Sequence, residues 1–295
     1  MSAAGATPSP PGPETRLATV MVLGSIVSVQ SGAALATTLF GELGPWGAVL
    51  MRAGFGALAL LALTHRSLRA PRGRQLRDVV LFGLILAAVN LTFYEALDRL
   101  PLGIAVTLEF VGPLGVAVLG SRRRRDLLWV LLAAVGIVLL SDGGGGGIDP
   151  LGAVLALAAG AGWGLYIVQA ARLGQSYPGL GGLALAMAIA TVLVAPFGIV
   201  QGGTELVTPS NLAVGLAVGL LSSAIPYALE FEALRRLPNA VFGVLMSLEP
   251  AVAALIGFLA LSQNLALLEV VAIGLVVAAS AGALRSAATP APRDG

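Results

Sequence analysis

Apolar stretches separated by short polar connections account for most of this 295-residue chain. Ten of them can be drawn, over residues 17–40, 44–64, 78–97, 101–119, 127–141, 150–172, 179–201, 212–234, 238–260 and 265–284. Most approach the ~20 residues that an α-helix needs to cross the hydrocarbon layer of a bilayer. Only 127–141 is short, and it borrows from the Arg and Gly residues on its flanks. The pattern predicts an all-α integral membrane protein of ten transmembrane helices. The first stretch is too long for the apolar part of a signal peptide and has only Arg16 ahead of it, so it reads as a span. Residues 1–16 are rich in Pro, Ala and Gly with nothing to bury, and read as a disordered tail; residues 286–295 read as a second one.

Composition narrows the chemistry. The chain is 57% hydrophobic and 11% charged, with a mean hydropathy of +0.92, whereas a soluble domain carries about a quarter charged residues. It has no cysteine, and all 17 basic residues are arginine. Disulfides, thiolate catalysis, iron–sulfur ligation and cysteine zinc sites are thereby excluded. A phosphate-binding Walker lysine and a Schiff-base lysine are excluded as well. His65, the single histidine, sits in a basic loop and reads as a solvated residue. No metal and no cofactor is expected.

The arginines divide by side. With the N-terminus in the cytoplasm, the cytoplasmic connections carry Arg16, the cluster Arg66, Arg69, Arg72, Arg74 and Arg77, the run Arg122–Arg125, Arg172, Arg235, Arg236, Arg285 and Arg293. The other side carries Arg99 alone, and Arg52 lies inside a helix. Basic residues retained on one side orient membrane proteins, so both termini are expected in the cytoplasm of a bacterial-type plasma (inner) membrane. The same runs could suggest nucleic-acid binding; the topology reading explains their placement better, and no nucleic-acid partner is expected.

One phrase is written twice. "FYEALDRLP" covers residues 93–101 and "EFEALRRLP" covers 230–238, an offset of 137 that also pairs Leu108 with Leu245, Pro113 with Pro250 and Ala117 with Ala254. Five spans separate the copies, and an odd number reverses orientation. The chain therefore reads as two inverted five-helix repeats, 17–142 and 150–285, joined by a Gly-rich linker at 143–149. The run Gly143–Gly147 has no following Gly-Lys-Ser/Thr and is a flexible connection rather than a phosphate cradle.

Inverted repeats are characteristic of secondary transporters, whose site lies at mid-membrane where corresponding helices of the two halves are interrupted. Pro113 and Pro250 meet that description: each removes a helical hydrogen bond and frees the carbonyl four residues back, those of Glu109 and Met246. A packing kink would use the same prolines. Carboxyls inside a membrane usually mark an ion or substrate path, which makes Glu109 and Glu249 proton-coupling or substrate-binding candidates. Glu230 and Glu95 lie nearer helix ends, where a structural or gating role is equally open. Asn90 and Tyr94 share a helix face, as do Trp163 and Tyr166 with Gln169 one turn on; with Gln30 and Tyr227 they form the expected cavity lining. Arg52, about 12 Å into the second helix by helical rise, reads as a snorkelling or structurally ion-paired residue, with service as countercharge to an acid or to a substrate carboxylate as the alternative.

The stretches "YEALDRLPLGIAVTLEFVGPLGVAVLG" and "EFEALRRLPNAVFGVLMSLEPAVAALIG" resemble the drug/metabolite transporter superfamily, and within it the EamA-type exporters of the threonine/homoserine kind. The resemblance runs from about Leu17 to Leu284. It implies a ten-helix inverted-repeat fold and proton-exchanging efflux of small metabolites, with Glu109 and Glu249 on the acids of the two motifs. It departs at Ser262, Gln263 and Asn264, where relatives commonly place an acid. The sequence therefore points to a secondary transporter, not an enzyme, that exports small amino acids such as threonine or homoserine by proton antiport. Export of an aromatic amino acid, a base or a drug-like cation by the same fold is the alternative. A membrane-embedded enzyme lacks any nucleophile or metal partner for its acids, and a scaffold lacks soluble loops. A homodimeric state is left open.

Overall fold

A computed structural model describes residues 13–119, 127–142, 148–177 and 179–288. Arg122–Arg125, Gly143–Gly147 and the expected tails up to residue 12 and from residue 289 lie outside the described residues. Thirteen helices occur among those described. The first half holds α1 (Pro13–Thr37), α2 (Phe40–Thr64), α3 (Arg74–Leu97), α4 (Leu102–Glu109), α5 (Val111–Leu119) and α6 (Leu127–Asp142). The second holds α7 (Pro150–Ser176), α8 (Gly181–Gly202), α9 (Pro209–Gly219), α10 (Ile225–Leu234), α11 (Asn239–Met246), α12 (Glu249–Leu261) and α13 (Leu267–Ala288). Nine helical stretches are long and apolar enough to cross a membrane, with α4–α5, α9–α10 and α11–α12 each forming one such stretch; the tenth, Leu127–Leu140, is shorter. Together they make the protein multi-pass.

Boundaries moved where local chemistry extends a helix. α1 begins at Pro13, so the last four residues of the expected tail 1–16 are helical. Proline suits a first helical turn, whose N–H groups are unbonded in any case, and Glu14 complements the positive end of the helix. α13 likewise runs to Ala288, past the expected end at 285. Phe40 opens α2 rather than ending the first span. Near its start α2 bends at Gly44, whose φ of 66° favours a residue without a Cβ. The Gln201 side chain closes the bend by accepting from the Trp46 N–H at 2.7 Å.

The duplicated phrase folds twice into one local structure. Pro101 and Pro238 both precede a helix in extended backbone, with ψ of 142° and 140°. Each of the helices that follow, α4 and α11, is eight residues long and ends on a residue with φ near −65°, Phe110 or Ser247. The turns match bond for bond: Leu100 N–H donates to Ala96 O and Leu237 N–H to Ala233 O, each at 2.9 Å. Even the side chains correspond, Arg99 pairing with Glu95 at 2.6 Å and Arg236 with Glu232 at 2.5 Å.

Packing between spans obeys the same exchange of halves. α2 lies on α8 and α6 on α13, while α3 on α7 is mirrored by α10 on α1, and α3 on α8 by α9 on α2. α4 and α5 touch α7 as α11 and α12 touch α1. One crossing breaks the symmetry. α4 packs closely on α12, where a Cβ on Gly103 would come within 2.7 Å of the Ala254 Cα. The related pair α5 and α11 makes no comparable contact among the described residues.

Candidate functional site

A cavity of about 420 Å³ lies where α1, α2, α3, α4, α5, α7, α10, α11 and α12 converge. It stops short of the α4–α12 crossing. At the opposite end it runs out to Val116, Ala117, Phe242 and Leu284, where α5 and α11 stand apart. Its walls are mostly apolar, and the polar groups are few and concentrated, as in small-molecule sites generally.

Helix interruption delivers the acids to this space. Glu109 is the last residue of α4, before the break at Phe110, and Glu249 is the first of α12, after the break at Ser247–Leu248. Pro113, on the cavity wall, and Pro250, which follows Glu249 off the wall, supply those breaks by lacking an N–H. The carbonyl freed at Glu109 points at α7: a Cβ on Gly160 would stand 2.5 Å from that oxygen. Glu230 reaches the cavity from α10 and accepts a hydrogen bond from Ser25 Oγ at 2.7 Å. Glu249 is 4% exposed and Gln30, facing it from α1, 3% exposed; Glu249 Oε2 and Gln30 Oε1 have no hydrogen-bond partner. Asn90 lines the wall with its amide N–H bonded to Leu86 O at 2.8 Å.

Aromatic rings shape the remainder. Trp163 stands edge-on to Phe110, with centroids 5.3 Å apart, and Tyr166 packs on Phe82 at 4.9 Å. Tyr166 and Tyr227 both line the space, with their hydroxyls close together. Four expected members are placed elsewhere. Glu95 is held by Arg99 at a helix end, because a carboxylate one turn from an arginine pairs locally. Gln169 is buried with its amide donating to Asp78 O at 3.1 Å, tying α7 to α3. Tyr94, fully buried, sits behind the wall against Arg52 rather than on it. Pro250 acts through the backbone of α12. His65 is exposed, with its ring against Ala62 O, and is not among the cavity residues. Among the described residues no three His, Cys, Asp or Glu side chains gather closely enough to hold a metal ion.

Arg52 occupies the less favoured of the places that the sequence left open. It lines the cavity instead of snorkelling, and its charge interacts with that of Glu109. Its guanidinium lies over the Tyr94 ring at 5.5 Å and approaches Tyr94 Oη at 3.5 Å and Ser222 O at 3.4 Å. Ser222 O is available because Pro226, four residues on, has no N–H to give it, and because Leu220–Ala224 forms a π-helical turn. Ser28 Oγ satisfies the neighbouring Leu221 O at 2.7 Å. Such turns concentrate at functional sites. The signal was present in "SSAIP", a proline and two serines inside an apolar span.

An inverted-repeat helical bundle whose interrupted helices meet at one cavity carrying a few buried acids is the architecture of a membrane transporter. Comparison with known proteins agrees. The model of the EamA-like transporter family matches residues 150–285. The threonine/homoserine exporter RhtA of Salmonella typhimurium (strain LT2) is 42% identical over 266 residues, 89% of this chain and 90% of that protein. RhtA of Escherichia coli (strain K12) is 40% identical over the same length. The uncharacterized inner membrane transporter YedA of Escherichia coli (strain K12) is 29% identical over 232 residues, 75% of each chain. A solved crystal structure at 20% identity superposes with a TM-score of 0.63, covering 90% of this chain and 95% of that one. The protein belongs to the EamA-like transporter family.

Proposed function

We propose that this protein exports small amino acids of the threonine/homoserine kind from the cytoplasm by proton antiport, with both termini cytoplasmic. The observation that carries the reading is the convergence of Glu109, Glu230 and Glu249 on one cavity at the helix breaks. A carboxyl in a membrane interior is expensive unless it is neutralised by a proton, a cation or a partner. A substrate ammonium and a proton therefore compete for the same oxygens, and competition for one site is the basis of antiport. Glu249, with Gln30 beside it and one oxygen unpartnered, is the best placed for that exchange. The likeness to the two RhtA exporters supports an amino-acid substrate. On this assignment of sides the cavity opens toward the cytoplasm, and the α4–α12 crossing closes the outer end.

Labelled-threonine efflux from proteoliposomes, with internal pH recorded, tests the reading. Efflux that requires an opposing proton gradient, with matching proton movement, is the expected result. Efflux indifferent to pH removes the antiport, and none from folded protein removes threonine. The aromatic rings around the acids also suit an organic cation, the second reading, which a competitor panel separates.

A further inference from the structure

We propose that Arg52 anchors the carboxylate of the transported molecule, so that the site takes free amino acids and turns away amines that lack an acid group. This rests on the export reading above and specifies its substrate class. Arg52 stands twelve residues from either end of α2 (Phe40–Thr64), about 18 Å of helix rise in each direction. An arginine side chain cannot reach either interface from there. Its charge must be balanced inside the protein. The charge of Glu109 reaches it within the cavity, yet the ion pairs among the described residues join other arginines to Asp78, Glu95, Asp98 and Glu232, and none includes Arg52. Its contacts are a tyrosine ring, a tyrosine hydroxyl and a backbone carbonyl, all neutral, and the two polar ones are long at 3.5 and 3.4 Å. Five guanidinium N–H groups held by two such contacts leave donors for the cavity that Arg52 lines.

The arrangement positions the fork with no carboxylate bonded directly to it, and a carboxylate is the group that a guanidinium binds through two parallel hydrogen bonds. Elsewhere in the same cavity Gln30 Oε1 and Glu249 Oε2 are buried acceptors with no donor. An ammonium brings three donors. A cation with spare donors and a pair of acceptors without any, sharing one 420 Å³ space, complement a zwitterion end to end. A simple organic cation satisfies only the acceptors and leaves Arg52 as it was.

The test uses acid and amide pairs on purified full-length protein. Threonine and threoninamide are compared as competitors of labelled-threonine counterflow in proteoliposomes. The same pair, with phenylalanine and phenylalaninamide, is compared by ligand-induced thermal shift in detergent. In the wild-type protein the acids should compete and stabilise at least about tenfold more effectively than their amides, the loss expected for a charge-assisted bidentate contact. Arg52→Gln should erase that discrimination, and Arg52→Lys should keep part of it. Equal competition by acid and amide in the wild type overturns the anchor while leaving export intact, as does discrimination that survives in folded Arg52→Gln. Absent threonine counterflow with acid-selective stabilisation would sink the export reading and keep the anchor. Absent counterflow together with stabilisation by no acid overturns both. Should Arg52→Gln fail to fold, the wild-type acid-to-amide ratio still decides.

Discussion

Two residues separate structural from functional demands at the residue scale. Gly160 gives the freed Glu109 carbonyl room to lie against α7. Gly160→Ala should therefore lower the thermal stability by about 1–3 kcal/mol, the usual cost of forcing atoms into a packed interior, and Gly160→Val by more; an unchanged melting curve would show that α7 can retreat. Glu249 has the opposite profile, a buried oxygen with nothing to bond. Glu249→Gln keeps shape and hydrogen-bonding capacity but cannot carry a proton. Threonine exchange should continue with a raised KM while pH-driven efflux is lost. Glu109→Gln is measured beside it, and whichever variant keeps exchange but loses coupling identifies the proton carrier. Equal loss of both activities would assign the residue to binding or folding instead.

Interruption is the device that recurs at the scale of elements. The α4–α5 and α11–α12 breaks put a carboxyl at a helix end, where backbone bonding is already incomplete and a polar site costs least. The π-helical turn Leu220–Ala224 offers backbone acceptors to side chains: Leu220 O still takes the Ile225 N–H, while Leu221 O and Ser222 O receive Ser28 and Arg52. Pro226→Ala returns an N–H to Ser222 O and makes it compete with Arg52. Transport should fall several-fold with the melting temperature unchanged or raised. A fall in both would mean that the turn is needed for folding, and no change in transport would remove Ser222 O from the positioning of Arg52.

For the whole molecule, the two halves are equivalent in fold but not in contact. The α4–α12 crossing is closed at Gly103 and Ala254, and its counterpart between α5 and α11 is not. Gly103→Val should wedge that crossing and reduce transport at least about tenfold while the protein still inserts and folds; normal transport would show that the crossing is no gate. Orientation is tested separately. Ser67→Cys and Thr204→Cys lie on exposed connections at opposite ends of the bundle. In intact cells an impermeant thiol reagent should label position 204 and spare position 67. The reverse pattern would overturn the cytoplasmic placement of the termini.

The sequence by itself determined the spans and the inverted repeat. Lipid demands about twenty apolar residues per helix, and a duplication offset by 137 residues leaves matching prolines, turns and i,i+4 pairs that need no distant partner. It also marked Glu109, Glu230 and Glu249, because charge is rare inside a membrane. Glu95 takes the structural role that its place near a helix end left open, because Arg99 lies one turn away and pairs with it. Tertiary structure decided what surrounds each polar group. Gln169 and Tyr94 share helix faces with cavity residues, yet the packing of α3 on α7 and of α2 beside α3 turns them to Asp78 and Arg52. Arg52 itself changed most. Whether an arginine in the middle of a helix meets lipid, an acid or an open cavity depends on which helices stand opposite, and no spacing along one chain contains that.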